Sequence, residues 1–242
     1  MIEIKNLTVL NKEQKLISNL NATFKEGEFW AILGKNGTGK TTLLHTLAGL
    51  LDYRIGQITV NGIELRSLSS IQRAREIAIL SQLMETGLNC TVEQNIAYGR
   101  YAWNKLKNNK RSDEKLINAA INNMELEELR QKSIQEISGG ELRKVEIATI
   151  LAQNSQIMIL DEPLNHLDIS FRYKLMHLLK QLSDKKLIII VTHDIQYVKA
   201  YCSHVMLLNK NGETSIGKTN DIMNINNINK MLDTNLPKNI LL

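Results

Sequence analysis

The sequence predicts an α/β protein: a doubly wound, mostly parallel sheet, with antiparallel strands near the N-terminus and a helical lobe inserted midway. Three observations lead there. "EFWAIL" (28–33), "IMIL" (157–160) and "LIIIV" (187–191) are continuous apolar runs, the mark of parallel strands covered on both faces. Helical patterns over 40–51, 140–153 and 169–183 separate them. Residues from about 84 to 138 carry almost no strand pattern.

Taken in order, "IEIKNLTV" and "ITVNGIEL" alternate with period two and are rich in β-branched residues, as half-buried antiparallel strands are. Asn61 and Gly62 form a hairpin-turn pair. In the middle stretch, "SDEKLINAAINNMELEEL" reads as a helix opened by Ser112, with acids in its first turn. The tail "NDIMNINNINKMLDTNLPKNILL" is Asn-rich and weakly periodic, so a short docking helix and a frayed end are both open. The expected organisation is one domain. Its α/β core with antiparallel strands is 1–83 and 139–215, its helical lobe 84–138 and its tail 216–242.

Composition narrows the function. The chain has 242 residues, 43% of them hydrophobic, and a net charge of +5. That suits a sizeable core. The positive charge is interspersed. Its densest block, "KLKNNKR" at 105–111, reads as a solvated loop, so no nucleic-acid partner is expected; a soft attraction to an anionic membrane surface stays open. Cys90 and Cys202 lack metal-ligand spacing and are expected to be free thiols in a reducing compartment. No run approaches the ~20 apolar residues of a membrane span, and the strand-like N-terminus is no signal peptide. A cytoplasmic protein follows, with any membrane role exerted through a partner.

"GKNGTGKTT" (34–42) lies between a buried strand and a helix. Gly34-x-x-x-x-Gly39-Lys40-Thr41 fits the phosphate-binding loop pattern, in the context that pattern requires. Glycines let backbone N–H groups converge on an anion, and the following helix points its positive end there. Gly34, Lys35, Asn36, Gly37, Thr38, Gly39, Lys40, Thr41 and Thr42 are the candidate nucleotide-binding residues. Lys40 would reach the β- and γ-phosphates, and the Thr41 hydroxyl would face Mg²⁺. "IMILDEP" delivers Asp161 and Glu162 at the carboxyl end of a strand, where open α/β sheets bind ligands. Asp161 is the candidate Mg²⁺ holder, and Glu162 the candidate general base for an attacking water. His193, after "IIIVT", falls on the same edge; His45, His166, His177 and His204 are left as structural or surface residues. "ISGGE" supplies Ser138, Gly139, Gly140 and Glu141 at a second helix start. One nucleotide does not need two such sites from one chain, so this loop is expected to serve the γ-phosphate held by another copy.

As a set, these motifs resemble the ATP-binding subunits of ABC transporters over residues 2–215. They are the loop 34–42, Gln82 in "ILSQ", "SGGE", "ILDEP", "NHLD" (165–168) and "THD" with His193. The resemblance implies the ABC ATPase fold, a P-loop NTPase core with an antiparallel β subdomain and an inserted α-helical subdomain. It further implies a head-to-tail homodimer sandwiching two ATP molecules with Mg²⁺. In that arrangement Gln82 touches the metal and links to the lobe. His193 contacts the γ-phosphate and orients the water, and Asp168 helps wire the two sites together. It implies ATP hydrolysis coupled to transport, integral-membrane permease subunits, indirectly a solute-binding protein, and a place on the cytoplasmic face of the membrane.

Departures from the family pattern are specific. No aromatic stands near Asn11 to stack on adenine, Leu164 replaces the usual Thr, and Thr149 stands where Arg is common. A weaker hold on the base is expected. "TVEQNIAYGRYAW" and "LDISFRYKLMHLLKQL" look like the importers of iron–siderophore complexes, haem and cobalamin. Another solute (a metal ion, an amino acid, an exported lipid or drug) and a soluble ABC ATPase without a permease are the alternatives. Tyr98, Tyr101 and Trp103, with Met84 and Leu88, read two ways: as a groove for a permease helix, or as core of the lobe.

Overall fold

The computed structural model describes residues 1–81, 89–103 and 110–234. In chain order these form β1 (Ile2–Asn11), β2 (Gln14–Phe24), β3 (Phe29–Gly34), α1 (Lys40–Leu47), β4 (Ile55–Val60), β5 (Ile63–Glu64), α2 (Ser70–Glu76), β6 (Ile77–Leu80), α3 (Val92–Tyr98) and α4 (Lys110–Asn123). There follow α5 (Gly139–Gln153), β7 (Ile157–Asp161), α6 (Ile169–Ser183), β8 (Leu187–Val191), α7 (Ile195–Tyr201), β9 (His204–Leu208), β10 (Thr214–Lys218), α8 (Thr219–Ile222) and α9 (Ile225–Leu232).

The apolar runs become the centre of a six-stranded sheet of order β10-β9-β3-β8-β7-β6. It is parallel except for the β9–β10 edge pair. Strand alternation divides each run between two cores. Phe29, Ala31 and Leu33 face a core shared with α3 to α7 and α9. Trp30 and Ile32 face one shared with α1 and the antiparallel sheet. Both sides are dry, so each strand reads as uninterrupted hydrophobe. The second sheet, β2-β1-β4-β5, is antiparallel. Its β4–β5 turn uses Asn61 and Gly62, both at positive φ (50° and 82°), as a two-residue hairpin requires.

Two helix limits differ from the sequence reading. α1 stops at Leu47 rather than 51, because Gly49 turns to φ 70° and the amides of Leu50 and Leu51 bond back to the His45 carbonyl. α4 ends at Asn123, short of the pattern that runs to Leu129, and its acid Asp113 pairs with buried Arg100 at 2.8 Å. In the tail, α9 is a docked helix: Ile228 and Met231 are buried in the first core, worth about 1.5–3 kcal/mol each. Residues 235–242 lie outside the described residues.

The aromatic group divides. Trp103 is structural: its Nε1–H donates to the Gln153 carbonyl (3.0 Å), and the guanidinium groups of Arg75 and Arg100 lie over its ring. Gln153 in turn donates to the carbonyls of Ala74 and Ile77. This joint ties the residues after α3 to α5 and to the entrance of β6. Tyr98 and Tyr101 are exposed. Met84 and Leu88 lie outside the described residues. Trp30 stacks on half-buried His204, which gives that histidine a structural contact.

Candidate functional site

β3, β8 and β7 are neighbours, so their carboxyl ends deliver three segments to one edge: the loop 34–42, then Thr192 and His193, then Asp161 and Glu162. These segments line a cleft of ≈ 520 Å³, closed on its far wall by Asn11, Gln14 and Leu16 of the β1–β2 hairpin.

The glycines are used as their chemistry allows. Gly39 caps α1 at φ 98°, and a Cβ there would sit 2.9 Å from Leu16 Cβ. No side chain caps α1, so its first-turn amides face the loop without a competitor. Lys40 is buried and donates from Nζ to the carbonyls of Gly34 (2.8 Å) and Lys35 (3.0 Å). Burial holds its pKa below the usual lysine value, against the pull of Glu162 and Asp161. Thr38 Oγ1 donates to the Lys35 carbonyl (2.9 Å).

Thr41 Oγ1 donates to Asp161 Oδ2 at 2.7 Å. The other oxygen, Oδ1, is buried and has no partner among the described residues. A hard, oxygen-lined corner of this kind fits Mg²⁺, which takes one or two protein oxygens and fills its shell with phosphate and water. No group of three or more His, Cys, Asp or Glu able to hold a metal ion occurs among the described residues.

Glu162 follows at φ 48°, a left-handed conformation uncommon outside glycine. The turn aims its carboxyl into the cleft while its amide bonds the Val191 carbonyl at 3.0 Å. Burial raises its pKa to about 7; the neighbouring Asp161 adds to the rise and Lys40 opposes it. His193 Nε2 lies 2.9 Å from Glu162 Oε1, yet no N–H is aligned on that oxygen, which has no hydrogen-bond partner among the described residues. Burial, then Lys40, lowers the His193 pKa, so the ring favours its neutral form.

Asn36, Gly37, Gly39, Lys40, Thr41, Thr42, Asp161, Glu162 and His193 thus meet in one cleft, framed by Gly34, Lys35 and Thr38. Gln82 lies outside the described residues. Ser138, Gly139, Gly140, Glu141 and Asp168 do not line this cleft. Ser138 and Glu141 form a capping box on α5: the Glu141 carboxylate accepts from the Ser138 amide and hydroxyl, both at 2.7 Å. Gly140 packs so closely on the His166 carbonyl that a Cβ would lie 2.8 Å from it. Asp168 caps α6 by accepting from the Phe171 amide.

Sequence reasoning missed Arg143. It is 1% exposed, and its Nη2 donates to the carbonyls of Asp161 (2.7 Å) and Glu162 (2.8 Å). Only its i,i+3 spacing to Glu146 hints at a paired cation. Leu16 and Gln14 were missed as well, because β2 carries no clean strand pattern.

Residues 17–165 match the family model described as ABC transporter. The chain belongs to the ABC transporter family. It is an ATP-binding subunit of that family and an ATPase. The ferric enterobactin transport ATP-binding protein FepC of Escherichia coli is 32% identical over 222 residues, covering 90% of this chain and 82% of FepC. The uncharacterised ABC transporter ATP-binding protein YvrA of Bacillus subtilis is 36% identical over 204 residues; that match covers 83% of this chain and 46% of YvrA. Among solved structures, the dimeric post-hydrolysis state of the ATP-binding cassette MJ0796, bound to ADP and Pi, superposes with a TM-score of 0.79 at 28% identity. That match covers 90% of this chain and 98% of the cassette.

Proposed function

We propose that two copies of this ABC ATPase clamp two Mg·ATP between them and hydrolyse it to drive a membrane permease, importing an iron–siderophore or related metal-chelate complex. The observation that carries the hydrolytic reading is the convergence of Lys40, the Thr41–Asp161 pair and the buried carboxyl of Glu162 in one cleft.

In this reading the amides of 37–42 and Lys40 Nζ hold the β- and γ-phosphates, Lys40 exchanging its bonds to the Gly34 and Lys35 carbonyls for phosphate oxygens. Thr41 and Asp161 would hold Mg²⁺, with Gln82 as a further candidate ligand. When bound, Mg²⁺ neutralises charge on the phosphate oxygens. Glu162 takes a proton from water as its oxygen bonds the γ-phosphorus and the bond to the β-phosphate oxygen breaks, releasing ADP and phosphate. His193, 2.9 Å from Glu162, contacts the γ-phosphate and orients that water in this reading. Positioned cations and amides supply most of the rate.

Ser138, Gly139, Gly140 and Glu141 serve the partner copy's nucleotide, because none of them lines the cleft of its own chain. Asp168, at the start of α6, links the two sites. Residues 84–138 act as the lobe that receives the permease, with exposed Tyr98 and Tyr101 on its surface. In this reading the permease holds this chain at the cytoplasmic face, and a secreted solute-binding protein supplies the permease; among the described residues no helix is long and apolar enough to cross a membrane. The solute class rests on the likeness to FepC.

Glu162→Gln is the test of mechanism. Turnover is expected to fall by about a thousandfold or more, comparable to removing other positioned catalytic groups, while ATP drives the variant into a stable dimer on size exclusion. A Glu162→Gln chain that hydrolyses normally, or stays monomeric with Mg·ATP, defeats the reading. Co-purification with a permease whose transport depends on a ferric siderophore tests the solute.

A further inference from the structure

We infer that Arg143 is a positioning residue for hydrolysis: from α5 it fixes the backbone turn that presents Glu162 to the cleft. The inference rests on the reading of Glu162 as general base.

One guanidinium gathers three segments. Nη2 donates to the carbonyls of Asp161 and Glu162. Nη1 donates to the Ser81 carbonyl (3.1 Å), at the exit of β6, and to Glu146 Oε2 (2.9 Å). The side chain is almost fully buried, with Nη1 and Nη2 each bonded twice and Nε without a partner among the described residues. Three of its four acceptors are backbone carbonyls, and two of those belong to the residues whose side chains carry the proposed chemistry. Glu162 sits at φ 48° there, a conformation persisting only where its surroundings over-determine it. The Glu162 carbonyl is held by Arg143 and the Asn165 amide, and its amide by Val191, so the carboxyl has a fixed base from which to point.

The planar fork matters. Nη2 spans two carbonyls one residue apart while Nη1 reaches Ser81 and Glu146. A lysine ammonium could meet some of these acceptors from one point but not hold all four. A methionine fills much of the same space and meets none. Loss of the fork lets the 161–162 turn relax. Displacements of about 1 Å at a reacting group cost up to about a hundredfold in rate.

The test uses the full chain with Mg·ATP. In Arg143→Met, kcat is expected to fall about ten- to a hundredfold, with KM and the Kd for ATP unchanged within about twofold, the signature of a group acting after binding. Arg143→Lys recovers part of the loss. Combined with Glu162→Gln, Arg143→Met lowers the residual single-turnover rate no further, because its effect passes through that carboxyl. Thermal melting accompanies each variant, and Arg143→Gln replaces Arg143→Met in the same comparison if the latter does not fold. Unchanged kcat, a loss confined to KM, or a full additional loss in the Glu162→Gln background each overturns the proposal. Normal turnover in Glu162→Gln alone instead removes the reading of Glu162, so the two failures are distinct.

Discussion

The chain contains two glycine loops that each open a helix, and they are built in opposite ways. Ahead of α1, Gly39 caps the helix without a side chain, and Lys40 stands beside amides that face a cleft. Ahead of α5, Ser138 and Glu141 cap each other: the carboxylate takes the Ser138 amide and the Ser138 hydroxyl oxygen takes the Glu141 amide. The first loop is organised for phosphate within one chain. The second is partly capped by its own side chains, exposed at Ser138 and Gly139, and does not line that cleft. A glycine-rich helix start thus binds within its own chain only where a cleft and a cation stand beside it, and the second loop needs another surface to complete it.

Lys40→Ala should break the contrast most strongly. It removes at least two charge-assisted bonds to phosphate, worth about 1.5–3 kcal/mol each, so ATP affinity falls by on the order of a hundredfold or more in calorimetry. Ser138→Arg should abolish ATP-driven dimerisation and steady-state hydrolysis, while the monomer binds ATP within about twofold of wild type. Strong ATP loss in that monomer would place the second loop in its own chain's site. Gly139→Ala sharpens the point. Nothing lies within 4 Å of a Cβ at this position, so melting temperature and monomer ATP binding hold, and only the ATP-bound dimer weakens, by about 1 kcal/mol. The smallest effect concerns the base. Asn11→Tyr returns an aromatic to the cleft wall and should tighten ATP by about 1 kcal/mol, near fivefold, in a titration with fluorescent nucleotide.

Much of this architecture is visible in the linear sequence, and the exceptions have physical causes. β3, β7 and β8 announce themselves because both of their faces are dry. The cleft is legible because phosphate chemistry imposes a fixed spacing on glycine, lysine and hydroxyl. β2 is obscured because its pairing with β1 slips at three places and it carries exposed Asn19 and Asn21, which break the alternation. The end of α1 depends on a glycine at positive φ that helical periodicity does not reveal. Arg143 is hidden for a different reason. An arginine in an amphipathic helix reads as surface, and only the packing of α5 against the ends of β6 and β7 turns it inward. Trp103 likewise reads two ways, as groove or as lobe core, until the Gln153 carbonyl and two guanidinium groups beside it decide for structure.

The internal bonds of Lys40, Thr38 and Thr41 carry a thermodynamic corollary. Each of these donors already has an oxygen partner inside the chain. A triphosphate must therefore displace existing partners rather than fill open valences, and what calorimetry records is the difference between two sets of similar bonds. The heat released on association should be small for so many polar contacts, leaving charge neutralisation and freed solvent as the principal drive.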